Sequence, residues 1–174
     1  TTWDLWEEKN PAEDNLFVLD DDMKMVGCST GLAKEERIYS ARFMGDKAYM
    51  VTFRETDPLF VIDVANPTNP KVLGELKIPG FSNYLHPLGE KHLIGFGYET
   101  SSIVPVGSKE PIIQTEGMKI SLFDVSDFDS PKEVDTEVIG GQGTYSPIQY
   151  DHHALFQHNE KNLYGFPVTI YEKE

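Results

Sequence analysis

The sequence predicts an all-β fold, and three landmarks that recur in the same order predict it. The first is an apolar run ending in aspartate: Leu16-Phe17-Val18-Leu19-Asp20, Leu59-Phe60-Val61-Ile62-Asp63 and Ile120-Ser121-Leu122-Phe123-Asp124. The second is an aromatic residue followed by serine, at Tyr39-Ser40, Phe81-Ser82 and Tyr145-Ser146. The third is a polar turn before a short apolar strand, at Gly45-Asp46-Lys47, Gly89-Glu90-Lys91 and Asn159-Glu160-Lys161. Self-similarity at a period of roughly 40 to 45 residues, with about four short strands per unit, is the mark of propeller blades. The expected architecture is a β-propeller fragment of four-stranded antiparallel blades, holding about three blades' worth of strands.

Taken in chain order, residues 1–15 read as an N-terminal extension or a leftover strand. Trp3 and Trp6 within it suit packing against the ring or an exposed binding pair. Residues 16–29 supply two outer strands, a half blade. Residues 38–78 read as a complete blade, with strands at Ser40 to Met44, Ala48 to Phe53, Leu59 to Val64 and Lys71 to Ile78. Their residues are β-branched and aromatic, and Asn66-Pro67-Thr68-Asn69-Pro70 breaks the third strand from the fourth. Residues 81–139 read as a second blade. Here 101–117, carrying Pro105, Gly107, Ser108 and Pro111, reads as an inserted loop, which a repeat absorbs at small entropic cost. Residues 145–171 supply the two inner strands of a last half blade, near Ile148 to Gln157 and Leu163 to Ile170. Only Leu32 to Arg37 admits a helical turn. A ring needs about four to eight blades, so this arc belongs to a larger ring or closes by self-association through its open blade edges.

The bulk composition agrees with a folded chain and excludes some partners. Of 174 residues, 39% are hydrophobic and 11% aromatic, more than disordered segments carry. Fifteen Lys and Arg against 29 Asp and Glu give a net charge of −14, which repels phosphate backbones and argues against nucleic acid. The same charge serves solubility and attracts cations, calcium in particular. No stretch reaches the roughly 18 to 20 apolar residues of a membrane span. The single cysteine, Cys28, forms no intramolecular disulfide and reads as a small buried hydrophobe.

The best chemical candidate is Tyr150-Asp151-His152-His153-Ala154-Leu155-Phe156-Gln157-His158. Read as a strand, it puts Asp151, His153, Leu155 and Gln157 on one face and His152, Phe156 and His158 on the other. Asp151 and His153, with His158 nearby, then either hydrogen-bond to neighbouring strands or supply part of a metal site. Asp20 and Asp22, in the run Asp20-Asp21-Asp22, form a solvated turn or a calcium site, although the spacing of an EF-hand loop is missing. Asp20, Asp63 and Asp124 recur with the repeat, which favours a shared task of bonding turn amides. Ser40, Ser82 and Ser146 follow aromatic residues at equivalent places and read as structural repeat positions. No nucleophile elbow, Gly-rich phosphate loop or cysteine metal pair occurs in the sequence.

The run Gly45-Asp46-Lys47-Ala48-Tyr49-Met50-Val51-Thr52-Phe53, then Thr56-Asp57-Pro58-Leu59-Phe60-Val61-Ile62-Asp63, Asn66-Pro67 and Gly74 to Phe81, resembles the secreted prokaryotic β-propeller domain family distantly related to WD-repeat proteins. Tyr84-Leu85-His86-Pro87, Lys119 to Asp127 and Tyr150 to Ala154 extend the resemblance, which runs from Leu16 to Val168. It implies an exported or surface-attached bacterial or archaeal protein and a family domain longer than this chain, and it carries over no biochemical activity. The resulting expectation is a non-catalytic binding or scaffold module, with an unknown protein or glycan at the propeller rim and no cofactor. The alternative is a metal-dependent hydrolase or lyase in the channel near Asp151 and His153, with calcium or another divalent metal.

Overall fold

The computed structural model describes residues 13–34, 36–53, 57–107 and 112–172. Trp3 and Trp6 lie outside them. Two strands open the arc, β1 (Leu16–Leu19) and β2 (Met25–Ser29), paired antiparallel as a two-stranded sheet. The first full blade holds β3 (Arg37–Met44), β4 (Lys47–Phe53), β5 (Asp57–Asp63) and β6 (Lys71–Ile78) in sequential order. The second holds β7 (Phe81–Leu88), β8 (His92–Ile103), β9 (Ile112–Asp124) and β10 (Lys132–Ile139), again sequential and antiparallel. A terminal pair, β11 (Phe156–His158) and β12 (Leu163–Gly165), closes the series. The fold class is thus a β-propeller arc of four-stranded antiparallel blades.

Alternation along the strands makes the stack. In β5, Phe60 and Ile62 face the half blade and pack with Ala48, Met50, Ala33 and Leu16. Leu59 and Val61 face the other way, joining Tyr49 and Val51 of β4 against Leu85, Leu93, Phe123 and Val125 of the next blade. Nearly all of these side chains are under a tenth exposed, and burying each Val, Leu, Ile, Phe or Met among them stabilises the fold by about 1.5–3 kcal/mol. The second full blade turns Phe96 and Met118 toward Ile148, Phe166 and Val168 of the terminal segment. The inner strands β3 and β7 lie side by side, joined where Ser40 Oγ donates to the Ser82 carbonyl at 2.7 Å.

The third and fourth strands of each unit share a bulge at one register. Val18 pairs with Gly27 and Leu19 with Met25; Val61 pairs with Gly74 and Ile62 with Val72; Leu122 pairs with Asp135 and Phe123 with Glu133. Gly27, Gly74 and Asp135 therefore occupy one position in successive units. At the first two the next blade comes very close: a Cβ on Gly27 would run into the Pro67 carbonyl oxygen, and one on Gly74 would lie 2.5 Å from that of Phe128. Glycine at these two sites is required by contact between backbones.

Several expectations are corrected. The 101–117 insertion is mainly paired strand: Thr100 to Ile103 of β8 pair with Ile112 to Thr115 of β9, lengthening the blade's central hairpin. Its Ser, Thr and Gln residues satisfy a ladder whose faces are solvated, so polarity there did not mean loop. The aromatic-Ser landmark is out of register. Ser40 pairs with Val51 and Tyr84 with the equivalent Phe96, whereas Ser82 matches Ile38; a two-residue slip keeps side chains on their faces, which hides it from pattern reading. Cys28 is exposed, because it shares with Phe17 the face of the half blade turned away from its neighbour. Lys34, expected in a helical turn, instead bridges to Glu13.

Candidate functional site

The stretch from Asp151 is not a strand. Asp151 is extended and caps a single 3-10 turn, His152–Ala154, by accepting from the His153 amide at 3.0 Å. A short polar residue that can bond the amide two positions on favours such a turn over a ladder. The turn abolishes the expected alternation and gathers Asp151, His152 and His153, whose ligand atoms all lie within 4.8 Å of one another. Among the described residues this is the one group of three carboxylate, imidazole or thiol side chains placed to hold a metal ion, and all three are exposed. His153 Nδ1 stands 2.9 Å from Asp151 Oδ1, and the His152 and His153 rings are 4.0 Å apart. The His153 amide first, and its ring second, hold the Asp151 carboxyl below the usual aspartate range.

Beside this group runs the inner strand β7. Tyr84 and His86 share a face, with the Tyr84 hydroxyl 3.1 Å from His86 Nδ1. The His152 ring lies 6.4 Å from that of Tyr84, and Tyr164 of β12 meets His86 edge-on at 5.6 Å. Burial, then the positive charge of Arg42 on β3, pushes the His86 imidazole below its ordinary pKa, against an opposing hydrogen bond from Gln157. Burial pushes the Tyr84 phenol up. Arg42 Nε is buried without a hydrogen-bond partner among the described residues. The assembled groups are a neutral imidazole, a phenol, a guanidinium and an exposed carboxylate–imidazole pair. They can accept and donate hydrogen bonds to a polar ligand or ligate a borderline divalent cation through nitrogen and oxygen.

The other sequence candidates do not join this group. His158 caps the next 3-10 turn, Asn159–Lys161, through its backbone alone. Asp20 accepts from the amides of Asp22 and Lys24, and Asp22 pairs with the Lys24 ammonium at 3.1 Å. Asp63 and Asp124 likewise take the amides of Ala65 and Ser126, so one turn geometry recurs three times. Ser82 is buried, and Ser146 caps the 3-10 turn Pro147–Gln149 while donating to the Pro167 carbonyl at 2.6 Å. Tyr84 and His86 stood in the sequence only within the resemblance, and neither they nor Arg42 and Tyr164 were marked there as site residues. The spacing of Tyr84 and His86 on a strand was the only signal for any of them.

One buried cation also escaped notice. Lys119 of β9, 5% exposed, donates to the Pro79 carbonyl at 2.8 Å and lies 3.4 Å from Glu99 and 3.2 Å from Glu133. It ties the chain crossing from β6 to β7 onto the blade below.

No helix among the described residues is long and apolar enough to cross a membrane. The model of the family described as beta propeller domain matches residues 1–174. An uncharacterised protein of Methanocaldococcus jannaschii is 46% identical over 168 residues, covering 97% of this chain and 24% of that protein. An uncharacterised protein of Archaeoglobus fulgidus is 41% identical over 156 residues, 90% of this chain and 22% of its own length. The chain thus spans about a quarter of the length of the curated relatives it matches. No solved structure matches it. Match, repeat and blade geometry agree: the chain belongs to the β-propeller domain family.

Proposed function

We propose that the chain is part of a non-catalytic binding or scaffold module, acting outside the cytoplasm and recognising a protein or glycan partner at the propeller rim. The observation that carries this is the end of the lengthened β8–β9 hairpin. Ile103, Val104, Val106 and Ile112 are 47%, 62%, 108% and 55% exposed there, an apolar cluster on a projecting element that the blade itself leaves uncovered. Exposed apolar clusters rimmed by polar residues mark interaction sites, and loops or hairpins on a rigid repeat scaffold carry recognition. The extracytoplasmic setting rests on the resemblance of the Gly45 to Phe81 run to a secreted family.

The test is a photo-cross-linking side chain placed at Val106 in the full-length parent protein. The reading expects one discrete protein or glycan adduct, lost when Val104 and Ile112 are both changed to serine while the melting temperature holds. The absence of any adduct, or one indifferent to those changes, overturns it.

A second reading has its own support in the Asp151–His152–His153 group: a divalent-metal site serving hydrolysis or elimination in the channel. Calorimetric titration with zinc and with calcium tests it. Stoichiometric uptake abolished by Asp151→Ala and by His153→Ala supports the metal site, and no heat with either ion removes it.

A further inference from the structure

A polar seam runs between two inner strands that lie inside the arc. β3 belongs to the first full blade and β7 to the second, and each of those blades is packed on both faces by other parts of the chain. The strands meet where Ser40 Oγ donates to the Ser82 carbonyl. Three side-chain atoms on them are buried and make no hydrogen bond among the described residues: Arg42 Nε, Asn83 Oδ1 and His86 Nε2. Gln157 acts on the His86 ring without satisfying that nitrogen. Buried polar atoms left unbonded are few in folded proteins, and three of them on adjoining strands point to a ligand.

The hydrogens available there decide what that ligand is. Arg42 keeps its charge at any working pH and acts on both Tyr84 and His86. No carboxylate among the described residues pairs with it, although Asp and Glu outnumber Lys and Arg by 29 to 15. The Tyr84 hydroxyl lies 3.1 Å from His86 Nδ1. A phenol is a stronger acid than a neutral imidazole, so the hydroxyl donates and the ring hydrogen sits on Nε2. The seam therefore holds a guanidinium and an imidazole N–H that both donate, with an Asn83 amide that donates once turned over. A metal ion is repelled by the guanidinium. The net charge of −14 opposes an anion only from nearby, since at physiological salt charges beyond about 8 Å are screened.

We infer that Arg42 and His86 hold an oxyanion, a carboxylate or a phosphate, at the seam between β3 and β7. Arg42 Nε and His86 Nε2 are covered, so the Arg42 side chain swings aside to admit the ion. A half-buried side chain without bonds to break makes that move between rotamers at small cost. Its guanidinium then takes two oxygens of the ion as a fork, the geometry that suits arginine to carboxylate and phosphate, and His86 Nε2 donates to one of them. The site is separate from the rim hairpin and from the Asp151–His152–His153 group, and it rests on neither of those readings.

Arginine modification by phenylglyoxal, mapped by mass spectrometry on the full-length parent protein, tests this in chloride, acetate and inorganic phosphate at one ionic strength. The expected result is that acetate or phosphate slows the modification of Arg42, by about tenfold once the ion stands at about ten times its Kd. The ion that responds names the class. Arg37, exposed and 5.9 Å over the Tyr39 ring on the same strand, reacts at one rate in all three salts. Calorimetry adds a second readout: the binding of that ion is lost in Arg42→Gln and kept in Arg37→Gln. Equal rates for Arg42 in the three salts overturn the inference. So does protection of Arg42 and Arg37 alike, and so does binding that survives in a folded Arg42→Gln protein.

Discussion

Gly74→Ala probes how closely the blades approach. The new methyl carbon meets the carbonyl oxygen of Phe128 at 2.5 Å and that of Asp129 at 2.7 Å, about 1 Å inside ordinary contact between non-bonded heavy atoms. Both obstacles are backbone, so neither swings aside, and relief requires the two blades to part. Parting them loosens the packing of Tyr49, Val51, Leu59 and Val61 against Leu93 and Phe123. Overpacking of this kind costs about 1–3 kcal/mol, and a backbone obstacle places the value near the top of that range. Alanine returns about 0.4–1 kcal/mol by restricting the unfolded chain. The net is about 2 kcal/mol, a fall of about 4–8 °C in melting temperature for a chain of this size. Asp135→Ala, at the equivalent position with no turn above it, stays within about 0.5 kcal/mol of the parent. Thermal unfolding followed by circular dichroism reads both. A Gly74→Ala protein melting within about a degree of the parent, or an Asp135→Ala protein falling as far, refutes the close-approach reasoning.

Lys119→Ala leaves the partly exposed Glu99 and Glu133 and the Pro79 carbonyl without their cation and is expected to cost about 1–3 kcal/mol; a loss under about 0.5 kcal/mol in urea unfolding contradicts the tether. His86 is held below its ordinary pKa by burial and by Arg42, so the unfolded chain takes up a proton before the folded one does. The stability this contributes is complete above the unfolded value of 6.5 and is lost as the pH falls through the lower folded value. His86→Gln should flatten the decline in unfolding free energy between neutral and mildly acidic pH, and an unchanged slope counts against it.

The first full blade was legible to within a few residues. Its β5 run is apolar throughout, as a strand buried on both faces is, its turn formers stand where strands end, and Asp63 marks the turn itself. Legibility fell where local chemistry and tertiary context compete. Pro105 and Gly107 punctuate a hairpin tip, and the flanking Thr and Ser were read with them as loop, although each is held in register by a partner across the ladder. Asp151 was read as a strand residue because its neighbours are aromatic and apolar, yet one side-chain bond to the His153 amide is enough to nucleate a 3-10 turn. That turn moved His152 to the side of Asp151 and His153. The Tyr84–His86–Tyr164 contacts join strands well apart in the chain, and no local pattern encodes such a meeting. The burial of Lys119 is of the same kind, since both its carboxylates come from neighbouring strands.

The chain crossing from β6 to β7 bears on how the molecule forms in time. Pro79 and Gly80 pass over the second full blade, fastened where Lys119 donates to the Pro79 carbonyl and where the Gly80 amide donates to Thr100 Oγ1 at 3.0 Å. That segment is synthesised before the strands it fastens, so β8 and β9 emerge with their anchorage already waiting. Every strand pairing within the full blades joins consecutive strands, which keeps loop-closure costs low as the chain grows. Each blade can therefore be completed from material already made, and the arc can assemble vectorially from its first strands toward its last.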